Sequence, residues 1–322
     1  MKSNNSLTPS YFQFTVFADY GPLRYLFFSL CLLIYMIIIS ANVVIILTVC
    51  LENSLHQPMY IFICCLSLNS LYGSAGFFPR FLMDLLSDTH FISRPFCVIQ
   101  MCIIQLYLGH ELTLLTVMAY DRFVAICQPL HYHSKMTFRM VLLLLMFVVL
   151  YPVCFLGYLF YLASSLPFCR NKLHRLFCTT FSVVELSCVD TIAISRVGQV
   201  FAVILIIVPL SFVLYTYLRI LLVCRRSLSD FRGKALQTCL PHIVTFGNFC
   251  ISLCCELLLS QYNLVKVNTS VSVALSLEFL IIPPISNPLV YGLNLPQIRK
   301  VIFGFLSKTV CPTRLTSVFV GF

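Results

Sequence analysis

The chain is short of charge. Asp, Glu, Lys and Arg make up 10% of its 322 residues, where a soluble domain carries about 25%. Hydrophobic residues make up 60%, and the mean hydropathy is +0.95. A water-soluble core cannot absorb that much apolar surface, so the bilayer is the expected solvent. Other absences narrow the function. There is no zinc-finger spacing and no aromatic-basic alternation, so the net charge of +10 points to cationic loops facing anionic lipid rather than to nucleic acid. No paired catalytic groups stand at matched depth, as an intramembrane hydrolase needs, so no enzymatic activity, cofactor or metal is expected. No repeat relates the two halves, as it does in many transporters. Residues 1–20 lack both the apolar core and the small-residue cleavage site of a signal peptide, so the first apolar span is expected to act as an uncleaved anchor.

What is present is a series of apolar spans, each near the 20 or so residues a membrane helix needs. Tyr25 to Val49, Met140 to Cys169 and Val197 to Leu218 contain no Asp, Glu, Lys or Arg. Four others carry isolated polar groups: Pro58 to Leu85 (Arg80, Asp84), Phe96 to Cys127 (Glu111, Asp121, Arg122), Ala235 to Leu259 (His242, Glu256) and Thr269 to Leu293 (Glu278). Such groups are tolerated where they face a bundle interior. Because only helices and closed barrels span lipid, the expectation is an all-α, seven-helix membrane bundle. It would comprise an N-terminal segment (1–24), a helical domain (25–293) and a short amphipathic helix with a tail (294–322).

Seven spans put the termini on opposite sides. With the N-terminus outside, the inner side holds Arg122, Lys135, Arg139, Arg219, Arg225, Arg226, Arg232, Lys234, Arg299, Lys300, Lys308 and Arg314. The outer side holds Lys2, Arg24, Arg94, Arg170, Lys172, Arg175, Arg196 and Lys266, and Arg80 lies within a span. The bias follows the positive-inside rule. Asn4-Asn5-Ser6 then offers a glycosylation site at Asn4 on the outer side; Asn268-Thr269-Ser270 is too close to the membrane to serve. Most of the 17 cysteines lie in spans and read as small hydrophobic filler. Cys97, Cys169, Cys178 and Cys188 instead fall on the outer side, where disulfides persist, and allow three pairings. Cys311, near the inner surface, is a candidate for palmitoylation.

Asp121 and Arg122 stand together at the inner end of the third span. They are able to pair in one state while Arg122 reaches across the bundle in another, which is the bistable element a receptor requires; the plain alternative is an interfacial anchor with Arg122 snorkelling to headgroups. The surrounding "MAYDRFVAICQPLHY" (Met118 to Tyr132) resembles the signature of odorant receptors, a branch of the rhodopsin-like G-protein-coupled receptors. "LHQPMY" (Leu55 to Tyr60), "TYLRI" (Thr216 to Ile220), "KALQTCLPH" (Lys234 to His242) and "PPISNPLVYG" (Pro283 to Gly292) are similar to further family segments in the same order. "LYGSAGFFPR" (Leu71 to Arg80) looks like the fish-type members.

The resemblance implies that Asp121 restrains Arg122 at rest and that Arg122 faces a G protein on activation. It also implies that Tyr217 and Tyr291 turn inward to support that state, that His242 sits where the sixth helix swings, and that Asn287, Pro288 and Tyr291 form the family's NPxxY element. Pro209 and Pro288 would supply bends. The implied disulfides are Cys97 to Cys178 and Cys169 to Cys188. The implied partners are a small odorant and a stimulatory olfactory-type G protein that raises cAMP, in a multi-pass plasma-membrane protein of olfactory sensory cilia. The same fold acting as a non-olfactory chemosensor, and a small transporter, are the runner-up readings. The chain departs from the family in three places. Ser70 replaces an acid in the second span, so a sodium site built from that acid and Glu111 is not expected; Ala41 precedes Asn42 in place of Gly; and Asn294 replaces an Arg.

Glu111 and Arg122 are eleven residues apart, about three turns, and share a helix face. Outward along that face lie Ile104, Gln105, Leu108 and Gly109, with Met101 or Cys102. By resemblance these approach the ligand together with Phe201, Ala202 and Leu205, with Leu253, Cys254 and Leu257, and with Leu277 and Ile281. The set is mostly apolar and suits a small hydrophobic ligand. Glu256 and Glu278 are candidates for holding a cationic ligand; otherwise they pair with Arg80, Arg196 or residues near one another. Cys239 and His242 share a face but lack a third ligand in a lipid-facing setting, so they are not expected to bind metal. His110 and His174 are expected to be hydrogen-bonded.

Overall fold

The computed structural model describes residues 9–17, 21–226, 229–262 and 269–310. In chain order the elements are β1 (Tyr11–Phe14), α1 (Leu23–Leu51), α2 (Pro58–Leu86), β2 (Phe91–Ser93), α3 (Arg94–Cys127), α4 (Tyr132–Lys135), α5 (Phe138–Ser164), β3 (Lys172–Leu173), α6 (Thr180–Val184), α7 (Ile192–Arg226), α8 (Ser229–Tyr262), α9 (Thr269–Asn294) and α10 (Pro296–Val310). Seven of the helices are long and apolar enough to cross a membrane: α1, α2, α3, α5, α7, α8 and α9.

Local chemistry accounts for the helix ends. Proline occupies the first turn of α2 and of α3, where its missing N–H costs nothing and its φ is already helical. Thr137 caps α5, its Oγ1 accepting from the Met140 amide at 3.4 Å; Asp190 Oδ1 accepts from the Ile192 amide at 2.9 Å at the start of α7. The fourth span differs from its expected extent of Met140 to Cys169. The helix stops at Ser164, where the Ser165 amide turns back to the Tyr161 and Leu162 carbonyls and Pro167 follows. Residues 165–169 are apolar for another reason: Leu166 and Phe168 are buried under the loops rather than in lipid. Pro209 and Pro288 both lie inside continuous helices, as do Pro79, Pro152, Pro241, Pro283 and Pro284.

α3 is the axis of the bundle. In the most apolar window of each helix, 67% of the α3 residues are buried but only 17% of those of α1. The outer face of α1 leaves Leu26, Leu33, Met36 and Leu47 exposed, a surface that suits hydrocarbon and not water. Three glycines of the α2–α3–α5 layer permit close approach: a Cβ on Gly73 would sit 2.5 Å from the Tyr107 ring, one on Gly76 would run into Ile103 Cγ2, and one on Gly109 would sit 2.7 Å from Pro152 Cβ. Small residues at such crossings are how membrane helices pack.

One end of the bundle carries a feature outside the all-α expectation, a three-stranded sheet in the order β2-β1-β3. β1 pairs antiparallel with β2 (Phe12 opposite Ile92) and parallel with β3 (Phe14 opposite Leu173). Phe12 and Phe14 are buried while Tyr11 is 59% exposed, the period-two alternation of a half-covered strand. Two disulfides sit at this sheet end. Cys97–Cys178 ties the first turn of α3 to the α5–α7 loop, and Cys169–Cys188 closes that loop on itself.

Candidate functional site

The bundle holds two separate arrangements, a cavity near the sheet end and a chain of polar groups running to the opposite end. The cavity has a volume of about 150 Å³. Gln105, Leu108, Gly109 and Leu112 of α3 form one wall; Phe155, Leu156 and Leu159 of α5 a second; and residues of α7 from Ile194 to Ile206, including Phe201, Ala202 and Leu205, a third. α8 contributes Phe249, Leu253 and Glu256, and α6 closes the top with Thr180, Phe181 and Val184. Thr180 Oγ1 donates to Gln105 Oε1 at 2.9 Å, fixing α6 over α3.

Seven residues expected at a ligand site thus line it: Gln105, Leu108, Gly109, Phe201, Ala202, Leu205 and Leu253. Others lie elsewhere. Met101 is packed under the loops with Cys97 and Phe12. Ile104, Leu277 and Ile281 belong to a cluster around Phe77, Phe177 and Phe279 that fills the space between α2, α3 and α9. Cys102 is not among the walls and Cys254 is exposed; the side chain of Leu257 lies outside the described residues. The physical reason is that α9 packs against α1, α2 and α8, so its inward residues meet phenylalanines of α2, while α5 and α6 take the place expected for it. No repeating pattern in α5 or α6 marks those residues in the sequence.

Glu256 is paired, but not with Arg80 or Arg196. Its Oε1 lies 3.5 Å from Nη1 of Arg175, in the loop between β3 and α6. Arg80 forks onto Asp84 one turn along α2, at 2.8 and 2.7 Å, and also donates to the Phe91 carbonyl of β2. Glu278 accepts from Ser252, on the same helix as Glu256, at 2.9 Å. His174 Nδ1 shares a hydrogen bond of 2.7 Å with Thr15, whereas His110 Nε2 is buried without a partner.

The polar chain starts at Glu111, which is fully buried. Oε2 accepts from Asn69 at 2.8 Å and Oε1 from Asn287 at 2.6 Å, so one carboxylate joins α2, α3 and α9. Ser70, next to Asn69 in α2, is buried with its hydroxyl unpartnered and supplies no second charge. One turn beyond Asn287, Tyr291 Oη shares hydrogen bonds with Thr245 at 2.8 Å and His242 Nδ1 at 3.3 Å, which links α9 to α8. Cys239 and His242 are each 1% exposed, so they face the interior and not lipid as expected. Tyr217 of α7 is half-buried, its ring edge-on to Phe246. Asn69 and Thr245 were not singled out in the sequence; their partners are distant in the chain, and only the packed bundle brings them together.

At the far end Asp121 is wholly buried. Its Oδ2 accepts from Arg122 Nε at 3.0 Å and also from Nη2, and its Oδ1 accepts from Tyr132 Oη of α4 at 2.8 Å. Burial, reinforced by the Asp121 charge, pushes the Tyr132 hydroxyl above its ordinary pKa, so it remains a donor. The Asp-Arg pair is thus closed, with every carboxylate oxygen occupied.

The described helices form a seven-span bundle with this pair, a buried Asn-Pro-x-x-Tyr element on α9 and a disulfide from α3 to the loop between α5 and α7. The family model described as olfactory receptor covers residues 30–309. The chain belongs to the olfactory receptor family. This is a class of non-enzymatic, G-protein-coupled receptors for small molecules. Olfactory receptor 6K3 of Homo sapiens is 33% identical over 94% of this chain and 91% of its own, and Olfactory receptor 6N1 of Homo sapiens is 34% identical over 85% and 88%. Olfactory receptor 1078 of Rattus norvegicus is 28% identical over 97% and 92%. Among solved structures, squid rhodopsin superposes with a TM-score of 0.71 at 17% identity, covering 93% of this receptor and 90% of that chain, a likeness of fold. The receptor is a multi-pass plasma-membrane protein.

Proposed function

We propose that the receptor binds a small, mostly apolar odorant in the cavity between α3, α5, α7 and α8 and relays binding to a stimulatory olfactory-type G protein that raises cAMP. On this reading the sheet end is extracellular, in olfactory cilia, with Asn4, outside the described residues, as its glycosylation site. The Asp121 end is cytoplasmic, in keeping with the inner surplus of Lys and Arg. Asp121 holds Arg122 at rest, and activation releases Arg122 toward the G protein. Tyr217, His242, Asn287, Pro288 and Tyr291 rearrange with it.

The observation that carries this reading is continuity. Leu112 and Phe249 close the deep end of the cavity and belong to the same buried cluster as Phe246 and Tyr291, with Tyr217 packed against it. A ligand that displaces Phe249 therefore presses on the side chains around His242 and Tyr291. Close-packed interiors transmit such shifts because they have discrete arrangements. The test is cAMP in cells expressing the receptor with a stimulatory olfactory G protein, against an odorant panel, beside Arg122→Ala at matched surface level. A dose-dependent rise that vanishes in the variant is expected; a response that survives Arg122→Ala refutes the role given to that residue.

A further inference from the structure

The cavity is mostly apolar, and its polar lining among the described residues is Gln105, Thr180, Ser195 and Glu256. Gln105 and Thr180 satisfy each other, and among the described residues Glu256 is the one charged residue that lines it. The pair that Glu256 makes is incomplete. Its Oε1 stands 3.5 Å from Arg175 Nη1 without a hydrogen bond between them, and Glu256 Oε2 and Arg175 Nη1 are both buried with no hydrogen-bond partner. Arg175 lines a second pocket at the sheet end, among Arg170, Lys172, His174 and Glu185, and meets the cavity through its contact with Glu256. A buried acceptor lacking a donor and a buried donor lacking an acceptor each carry a desolvation cost, and here they sit side by side.

One small group answers both. A hydroxyl donates one hydrogen bond and accepts others, so it can donate to Glu256 and accept from Arg175. An ammonium only donates, and it brings a second positive charge against Arg175. A carboxylate only accepts, and it meets Glu256. A hydrocarbon answers neither. Size adds a limit, since an apolar cavity of about 150 Å³ holds a molecule the size of benzene. We infer that the ligand class is a small neutral alcohol or phenol, its apolar body against Phe155, Phe201 and Leu205 and its hydroxyl between Glu256 and Arg175. The inference rests on the proposed reading of this cavity as the ligand site.

The test uses the purified full-length receptor in lipid nanodiscs and four probes with one ring in common: benzyl alcohol, benzylamine, benzoate and toluene. Apparent affinities come from the concentration dependence of the thermal unfolding midpoint. Benzyl alcohol is expected to bind about ten-fold or more tightly than the other three, the usual worth of hydrogen bonds to charged groups. In the double variant Glu256→Leu with Arg175→Leu, which removes both charges together and strands neither, toluene is expected to bind at least as well as benzyl alcohol. Gly198→Phe, whose side chain points into the space beside Leu159, is expected to abolish binding of every probe. Equal affinity of toluene and benzyl alcohol for the native receptor, or a preference for benzylamine or benzoate, with all binding lost in Gly198→Phe, overturns the ligand class and leaves the cavity standing. Binding that survives Gly198→Phe, or no binding by any probe, overturns both.

Discussion

Among the described residues, two carboxylate-guanidinium pairs have both side chains largely shielded, and they differ in how completely they are satisfied. Arg122 and Asp121 have side chains 12% and 0% exposed, while Arg175 and Glu256 are 8% and 17% exposed, so burial does not distinguish them. Completeness does. Both oxygens of Asp121 are occupied, one by Arg122 and one by Tyr132; Glu256 keeps an oxygen with no partner. In a low dielectric, satisfied charges hold an element in place and unsatisfied ones invite a partner. The first arrangement suits a latch, the second a recognition site.

The comparison can be broken most severely at the loop that carries Arg175. Cys97→Ser removes the link from α3 to that loop, and loss of such a disulfide typically costs about 2–5 kcal/mol; surface display should fall sharply, and Cys178→Ser should match it. Cys169→Ser should do less, because its bond closes 19 residues rather than 81 and the loop-entropy contribution is smaller by about 1 kcal/mol. A stronger display defect from Cys169→Ser than from Cys97→Ser contradicts this ordering.

Next in size is the latch. Asp121→Asn removes the charge that holds Arg122, and interactions with charged groups are worth about 1.5–3 kcal/mol. Ligand-free cAMP should rise about ten-fold at equal surface level. Tyr132→Phe removes one hydrogen bond from the same carboxylate, worth about 1 kcal/mol, and basal cAMP should rise a few-fold only. Basal signalling left unchanged by both variants removes the latch from the account. The smallest effect belongs to Arg24→Ala. Arg24 pairs with Asp88, which is 87% exposed, and exposed pairs contribute little; the unfolding midpoint should be indistinguishable from native.

How much of this was legible in the sequence depends on distance along the chain. The seven spans were readable because each is a continuous run, and Asp121 and Arg122 because they are adjacent. The strand Tyr11–Phe14 was not, since four residues carry no decisive period and its partners lie in two separate loops. The cavity was half readable. α3, α7 and part of α8 could be oriented from Glu111, Arg122 and the family likeness, but the rotation of α9 could not, and Leu277 and Ile281 pack with Phe77, Phe177 and Phe279 rather than lining this cavity.

The sequence by itself determined the solvent, the number of crossings and the family, and it set Asp121 beside Arg122, because hydropathy runs and neighbouring charges are local properties that the bilayer reads directly. Tertiary structure decided the rest. It set which face of α9 meets α2, that Glu111 joins Asn69 to Asn287, and that Arg175 meets Glu256 imperfectly. Those are outcomes of how helices rotate and how a disulfide-held loop settles, and hydrophobic pattern is nearly blind to them when most faces of a helix are apolar.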